Sequence, residues 1–159
     1  MMKRLLIAGI VSVSSLSLIT AAAAQQPAPK QVAQAAGEDQ ALPKGFKTTP
    51  VLKASQTASN MPLEYPKTGK AEIVSVIGEL EPGGRTSLHQ HPVPVFVYVL
   101  EGTITVEAQG GQPRDYKAGQ AYIEDVNHWH QAMNKGGTPV KLLIIFAGEQ
   151  GKPTTINAK

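Results

Sequence analysis

The chain has 159 residues, of which 42% are hydrophobic and 17% are charged. This size and balance predict one globular domain with a buried core and exclude a second sizeable domain. Cysteine is absent, which excludes disulfides, thiolate metal ligands and a cysteine nucleophile, so the core alone must hold the fold. The net charge of +3 comes without a basic cluster, and nucleic acid is therefore not an expected partner.

The first 24 residues have the pattern of a signal peptide. Lys3 and Arg4 give a positive start, an apolar stretch thinned by serines follows, and three alanines at positions 22–24 form a small-residue cleavage site. An uncleaved membrane anchor is the alternative, but the apolar run is barely long enough to span a bilayer. We predict cleavage after Ala24 and a periplasmic or secreted protein without a stable membrane anchor.

Residues 25–45 are rich in Ala, Gln and Pro and predict a flexible leader. The folded domain is predicted over residues 46–150, and residues 151–159 are predicted to form a C-terminal tail. Fifteen glycines and twelve prolines favour short strands and turns over long helices. The predicted strands lie at about 46–54, 71–80, 95–101, 103–108, 113–117, 120–124, 128–134 and 139–147.

Strands separated by turns at this spacing predict an all-β fold, a small antiparallel barrel or jelly roll whose interior can house one small site. The continuous apolar run at 142–146 is typical of a strand covered on both sides. The predicted strand at 46–54 could add an edge strand to a neighbouring molecule, and on that ground a homodimer is the expected assembly.

Three histidines are the candidate site residues. His89 and His91 are separated by one residue, so on an extended chain their side chains point to the same side, and His130 on a neighbouring strand could complete a site. Imidazole is the commonest ligand of divalent transition metals, and three imidazoles leave positions open for water, dioxygen or a substrate. We predict that the three bind a divalent transition metal: iron, zinc, manganese, nickel or copper.

The surroundings of these histidines resemble the cupin family. The first cupin motif, G-x5-H-x-H-x3,4-E-x6-G, is matched at four of its five positions, and a valine stands where the acidic residue is expected. The residues in register are Gly83, His89, His91, Val95 and Gly102.

The second cupin motif, G-x5-P-x-G-x2-H-x3-N, follows in register. Gly119, His130 and Asn134 match it, while Asp125 and Asn127 replace its proline and its second glycine. The resemblance spans about residues 71–147. It implies that the chain is a cupin barrel whose metal ligands are the three histidines.

The missing acidic residue changes what the resemblance implies. Val95 cannot bind a metal, so a neutral histidine triad would leave more positive charge and one more open position, with lower affinity. The resemblance implies metal binding more strongly than any particular reaction. Cupins with three histidines include non-haem iron dioxygenases, so if the chain is an enzyme, a metal-dependent oxidoreductase of that type is expected. Its pocket is expected to be apolar and lined by Val93, Val95, Val97, Val99 and Ile123.

Four neighbouring polar residues have two interpretations each. His128 could be a fourth ligand or a proton shuttle, or only a turn residue. Glu124 and Asp125 could replace the missing carboxylate, but we expect both to be solvated at the rim of the barrel. Arg85, beside the histidine pair, could orient an anion, but an arginine next to a turn is expected to be exposed.

Three functions remain open from the sequence. The first is an exported metal-dependent cupin that acts on a small molecule, with oxidative cleavage as its sharpest form. The second is a non-enzymatic periplasmic protein that binds a metal or a small ligand, because no general base stands out near the histidines. The third is a barrel whose histidines no longer bind anything.

Overall fold

A computed structural model of the protein describes residues 48–67 and 69–159. The predicted signal peptide and leader lie outside these residues and stay predictions. The described part contains no helix that is both long and apolar enough to cross a membrane. Its nine strands are β1 (Ala71–Leu80), β2 (His89–Gln90), β3 (Val95–Glu101), β4 (Thr103–Ala108), β5 (Arg114–Lys117), β6 (Ala121–Glu124), β7 (His130–Met133), β8 (Val140–Glu149) and β9 (Ile156–Asn157).

The strands form two antiparallel sheets, as expected for a cupin jelly roll. One sheet has the order β1-β8-β3-β6 and the other has the order β5-β4-β7-β2-β9. The longest pairing joins β1 to β8 over ten residue pairs, from Ala71↔Glu149 to Leu80↔Val140. The prediction of an all-β antiparallel fold is therefore confirmed.

The core lies between the sheets, and alternation along β3 supplies much of it. Val95, Val97 and Val99 are buried, and the residues between them are only partly covered. Alternate side chains of a strand point to the same face, which places these valines inward. Burying a side chain of this size contributes about 1.5–3 kcal/mol, so the β3 valines stabilise the packing of the two sheets against each other.

One predicted strand is wrong. Residues 48–54 form no strand, and Val51 is exposed within them. The next segment turns back on itself, with Gln56 bridged to Pro62, and the Ala58 N–H donates to the Ile123 carbonyl on β6. This part of the chain therefore contacts the barrel at β6. Residues 48–54 offer no edge strand to a second molecule.

The motif glycines adopt backbone conformations that residues with a Cβ atom avoid. Gly83, Gly102 and Gly119 all have positive φ, at 77°, 76° and 87°. At Gly102 a Cβ atom would also lie 2.7 Å from the Pro139 carbonyl oxygen. Glycine adopts this conformation without steric cost, which explains its place at these turns.

Asn127 shows how the chain tolerates the loss of one motif glycine. Its φ is 53°, and its N–H donates to the His91 carbonyl at 2.7 Å. Asparagine enters the left-handed region more readily than other residues with a Cβ atom. The turn therefore keeps its shape although the second-motif glycine is missing.

We expect Asn127→Gly to leave stability nearly unchanged and Asn127→Val to lower it by about 1–2 kcal/mol, because a β-branched residue is strained at positive φ. Urea unfolding of the two variants beside the wild type measures the difference. Equal stability of both variants would show that φ at this turn imposes no strain.

Asn134 of the second motif is a structural anchor. Its side chain is 1% exposed, and its Nδ2 group donates to the Leu80 and Thr138 carbonyls at 2.9 and 2.8 Å. Its Oδ1 accepts the Gly136 N–H at 3.0 Å. These bonds join the end of β1 to the turn between β7 and β8. They satisfy both the Nδ2 donors and the Oδ1 acceptor of the side chain, which allows this polar residue to be buried.

Candidate metal centre

The three predicted histidines meet in the barrel interior. His89 on β2 lies directly opposite His130 on β7, and His91 follows β2. Their ring centroids are 4.5–5.1 Å apart. One ligand atom from each lies within 4.8 Å of the others, and all three side chains are buried. The cluster has the chemistry and spacing to hold a metal ion.

The outer nitrogen of each ring is held by a backbone carbonyl. The Nδ1–H groups of His89, His91 and His130 donate to carbonyl oxygens at 2.8, 2.7 and 2.9 Å, and these carbonyls belong to Ser87, Thr154 and His128. A carbonyl can only accept, so each Nδ1 must carry the proton. In the neutral rings, each Nε2 then has a free lone pair, which is the form that binds a metal.

The strand that holds His91 in place was not foreseen. β9 pairs with β2, opposite His89 and Gln90, and the Thr154 carbonyl just before β9 accepts the His91 Nδ1–H. Residues 151–159, expected only as a tail, therefore take part in building the site. Strands of two residues carry no periodic pattern, so sequence alone could not indicate either β2 or β9.

Glu124 supplies a carboxylate at the cluster. It is the direct cross-strand neighbour of Val95, the residue that stands where the first motif has its acid. Its Oε2 lies 3.0 Å from Nε2 of His91 and 3.6 Å from Nε2 of His130, and the residue is 8% exposed. The expectation that Glu124 is solvated is wrong, because β6 continues into the barrel through this residue.

Asp125 and His128 have structural contacts. Asp125 is also buried, contrary to expectation, and its Oδ1 accepts the Ser59 N–H at 3.2 Å. The His128 Nε2–H donates to the Gln109 carbonyl at 2.9 Å, while its own carbonyl holds His130. His128 therefore orients a cluster histidine through its backbone, and its ring is engaged elsewhere.

Several hydrogen-bond acceptors face one another at the centre of the histidine cluster. Three Nε2 lone pairs and the Glu124 carboxylate converge there, and His130 Nε2 has no hydrogen-bond partner although it is buried. Buried acceptors that face one another repel unless a proton or a cation lies between them. A divalent cation fits this donor set, since imidazole and carboxylate are both ligands of transition metals.

Without a metal, protons must supply that positive charge. Burial raises the pKa of Glu124, but the neighbouring His130 and His91 rings outweigh it and lower the pKa to about 2. Burial lowers the pKa of His130, but Glu124 outweighs it and raises that pKa above 6.5. At His89, burial dominates and lowers the pKa.

These shifts predict the pH dependence of metal-free stability. A carboxyl group with a lowered pKa stabilises the fold above its unfolded value of 4.5, and a histidine with a raised pKa stabilises it below 6.5. At His89 the lowered pKa has the opposite effect, because stability then rises with pH up to 6.5. We expect the melting temperature in EDTA to be highest close to pH 6.5 and to fall above that as His130 loses its proton. Bound metal should remove the alkaline decrease. A metal-free melting temperature that rises from pH 6.5 to about 8 contradicts this account.

A cavity of about 200 Å³ adjoins the cluster. Glu124 and His130 belong to its wall, together with Arg114, Tyr116 and Tyr122. The tyrosine rings are stacked at a centroid distance of 4.0 Å. The cavity is more polar than predicted: it is not lined by the expected valines 93, 95, 97 and 99, which are buried core residues, or by Ile123.

Comparisons with known proteins gave one family match and several similar solved structures. Residues 76–146 match the family described as the cupin domain. No curated protein sequence matches the chain. Among solved structures, the DMSP lyase DddQ from Ruegeria pomeroyi is 19% identical, with 54% of this chain and 43% of that chain covered and a TM-score of 0.48.

Two further structures are similar. An uncharacterized conserved protein with a double-stranded beta-helix domain from Klebsiella pneumoniae is 23% identical, with 59% of this chain and 89% of that chain covered and a TM-score of 0.48. An oxalate oxidase in complex with the substrate analogue glycolate is 20% identical, with 54% and 46% covered and a TM-score of 0.48. The chain spans less than half the length of the lyase and of the oxidase.

Both cupin motifs occur in one chain, their histidines meet inside two antiparallel sheets, and the matched segment contains them all. Residues 76–146 are therefore a cupin domain, in a variant with three clustered histidines and no acidic residue at the first-motif position.

Proposed function

We propose that this chain is an exported cupin that binds one divalent transition metal ion and acts on a small molecule as an oxidoreductase of the dioxygenase type. The metal ligands are His89, His91 and His130, with Glu124 as an additional carboxylate ligand. Export would follow from the predicted signal peptide over residues 1–24. The observation that carries the proposal is the buried convergence of three Nε2 lone pairs and one carboxylate oxygen.

The ligand set favours this reaction class. Ferrous iron in a site of histidines and one carboxylate, with positions left open, is typical of non-haem oxygenases. A divalent ion there would supply Lewis-acid chemistry, and iron would also supply redox chemistry with dioxygen. The chain's own part is to hold the imidazoles by their Nδ1–H groups, to exclude bulk water, and to leave a cavity in which a substrate lies beside Glu124 and His130.

The test is metal-dependent oxygen uptake. Metal-free protein is loaded separately with ferrous iron and with zinc, and oxygen consumption is followed over a panel of diketones, phenols and small carboxylates such as pyruvate and levulinate. Uptake is expected with iron only, and it should be lost in His130→Ala. Iron that binds stoichiometrically without any oxygen uptake across the panel would refute the dioxygenase assignment and leave metal binding intact.

The alternative is a non-enzymatic periplasmic binding protein. One observation favours it: burial raises the pKa values of Tyr116 and Tyr122, so neither cavity tyrosine is a ready general base. Asp125 is held by the Ser59 N–H. A ligand that raises the melting temperature and is recovered unchanged after long incubation with the iron form would favour binding over turnover.

A further inference from the structure

Two hydrogen-bond donors in the cavity have no partner. Nη1 of Arg114 and the hydroxyl of Tyr116 are buried, and neither forms a hydrogen bond within the described residues. They lie two residues apart on β5, so both side chains leave the same face of the strand. Buried donors are almost always satisfied in native proteins, which indicates that a group other than the described residues accepts from them.

Arg114 has no carboxylate partner within the described residues. It forms no salt bridge within residues 48–67 and 69–159, where the six ion pairs involve other side chains. Tyr116 stays protonated at neutral pH, because burial raises its pKa although the nearby guanidinium lowers it. A guanidinium beside a phenol hydroxyl is a donor pair suited to a carboxylate, which arginine binds through two parallel hydrogen bonds.

The same cavity joins this donor pair to the metal centre. Arg114, Tyr116, Glu124 and His130 all line it, and Val106 adds an apolar wall. Its volume of about 200 Å³ limits it to a small ligand. Only a small molecule fits within this volume and contacts the donor pair and the metal centre at the same time.

Metal binding at the histidine cluster and anion binding at the donor pair depend on each other through charge. Once His130 has lost its proton, Glu124 and Asp125 contribute two negative charges to the lining and Arg114 contributes one positive charge, so the metal-free cavity carries −1. A divalent ion bound by neutral histidines changes this total to +1. An anion is therefore repelled before the metal binds and attracted afterwards, and the coupling must be reciprocal.

We infer that this cavity binds a small organic monoanion, whose carboxylate pairs with Arg114 and Tyr116 while a neutral carbonyl or hydroxyl oxygen faces the histidine cluster. The inference rests on the proposed metal site and names the substrate class for it. Arg114 is thus a specificity residue that selects a carboxylate. Arg85, the arginine that sequence placed beside the histidines, is exposed and does not line the cavity.

The test uses the zinc form, in which redox turnover does not interfere. Zinc binding is measured first, by titration of the full chain. Pyruvate and levulinate are then titrated calorimetrically, with pyruvamide and levulinamide as neutral counterparts. We expect at least one carboxylate to bind, its amide to bind about tenfold more weakly or not at all, and EDTA to abolish carboxylate binding.

Three variants locate the effect. Arg114→Gln should weaken carboxylate binding by about 10- to 100-fold and leave zinc binding in place, and Tyr116→Phe should weaken it by a smaller factor. Arg85→Gln makes the same charge change outside the cavity and should bind as the wild type does. If Arg114→Gln does not fold, Arg114→Lys keeps the charge without the paired donors and should still lose most of the affinity.

The outcomes separate the two proposals. A wild-type chain that does not bind zinc overturns the metal site and the anion site together. Three outcomes overturn only the anion site in a chain that does bind zinc. Neither carboxylate binds, or carboxylate and amide bind equally, or carboxylate binding is unchanged in both Arg114→Gln and Tyr116→Phe.

Discussion

We expect the His89→Ala/His91→Ala double variant to lose the metal ion that the wild-type chain binds at about one ion per chain. The change removes two of the three clustered ligands, and one histidine with one carboxylate does not hold a transition metal firmly. Elemental analysis of protein purified without a polyhistidine tag measures the loss. The melting-temperature gain with added metal should disappear too, since a ligand at 100 times its Kd stabilises by about 2.7 kcal/mol.

The matched control is His128→Ala. This variant also removes one imidazole, but that ring bonds to the Gln109 carbonyl outside the cluster, so metal content should stay at the wild-type level. Equal metal content in the double variant and the wild type would place the ion elsewhere. If the wild-type chain takes up no metal even after reconstitution, the histidines no longer have this role.

Much of the fold and the histidine triad could be predicted because their signals are local. Alternation along β3 marks the inward valines, and the spacing of His89, His91 and His130 needs only the motif register. The strand prediction that covered residues 48–54 was wrong because a local pattern does not show whether a pairing partner exists. Its residues form a local strand-like pattern, but no neighbouring strand pairs with them, and a strand needs a partner to persist.

Glu124, Arg114 and Tyr116 could not be predicted because their roles depend on long-range pairing. β6 has buried residues on both faces, so burial pattern alone does not say which residue reaches the site. Only the register Val95↔Glu124 places the carboxylate beside the histidines. One signal was present in the sequence. On β5 and again on β6, a tyrosine and a charged residue lie two positions apart, so the two side chains of each pair share one face of their strand.

Moving the carboxylate between β3 and β6 tests whether Glu124 performs the task of the missing motif acid. Side chains directly opposite on antiparallel strands have Cβ atoms about 4.5–5.5 Å apart, so residues 95 and 124 can present a carboxylate to nearly the same place. We expect Glu124→Val and Glu124→Gln each to weaken metal binding by about tenfold or more, because a divalent ion loses its only anionic ligand. Metal titration of purified protein measures both.

The exchange variant Val95→Glu/Glu124→Val should recover most of the affinity, because it returns the acid to the first-motif position and keeps the total side-chain volume. Val95→Glu alone should destabilise the metal-free protein by about 3–5 kcal/mol, since it buries a second carboxylate in the core. Glu107→Gln, which removes a half-exposed carboxylate paired with Lys135, should bind metal normally. If the folded exchange variant binds as weakly as Glu124→Val, or if Glu124→Gln binds as tightly as the wild type, then Glu124 is not a ligand. Its role would then be limited to neutralising protonated histidines in the metal-free protein.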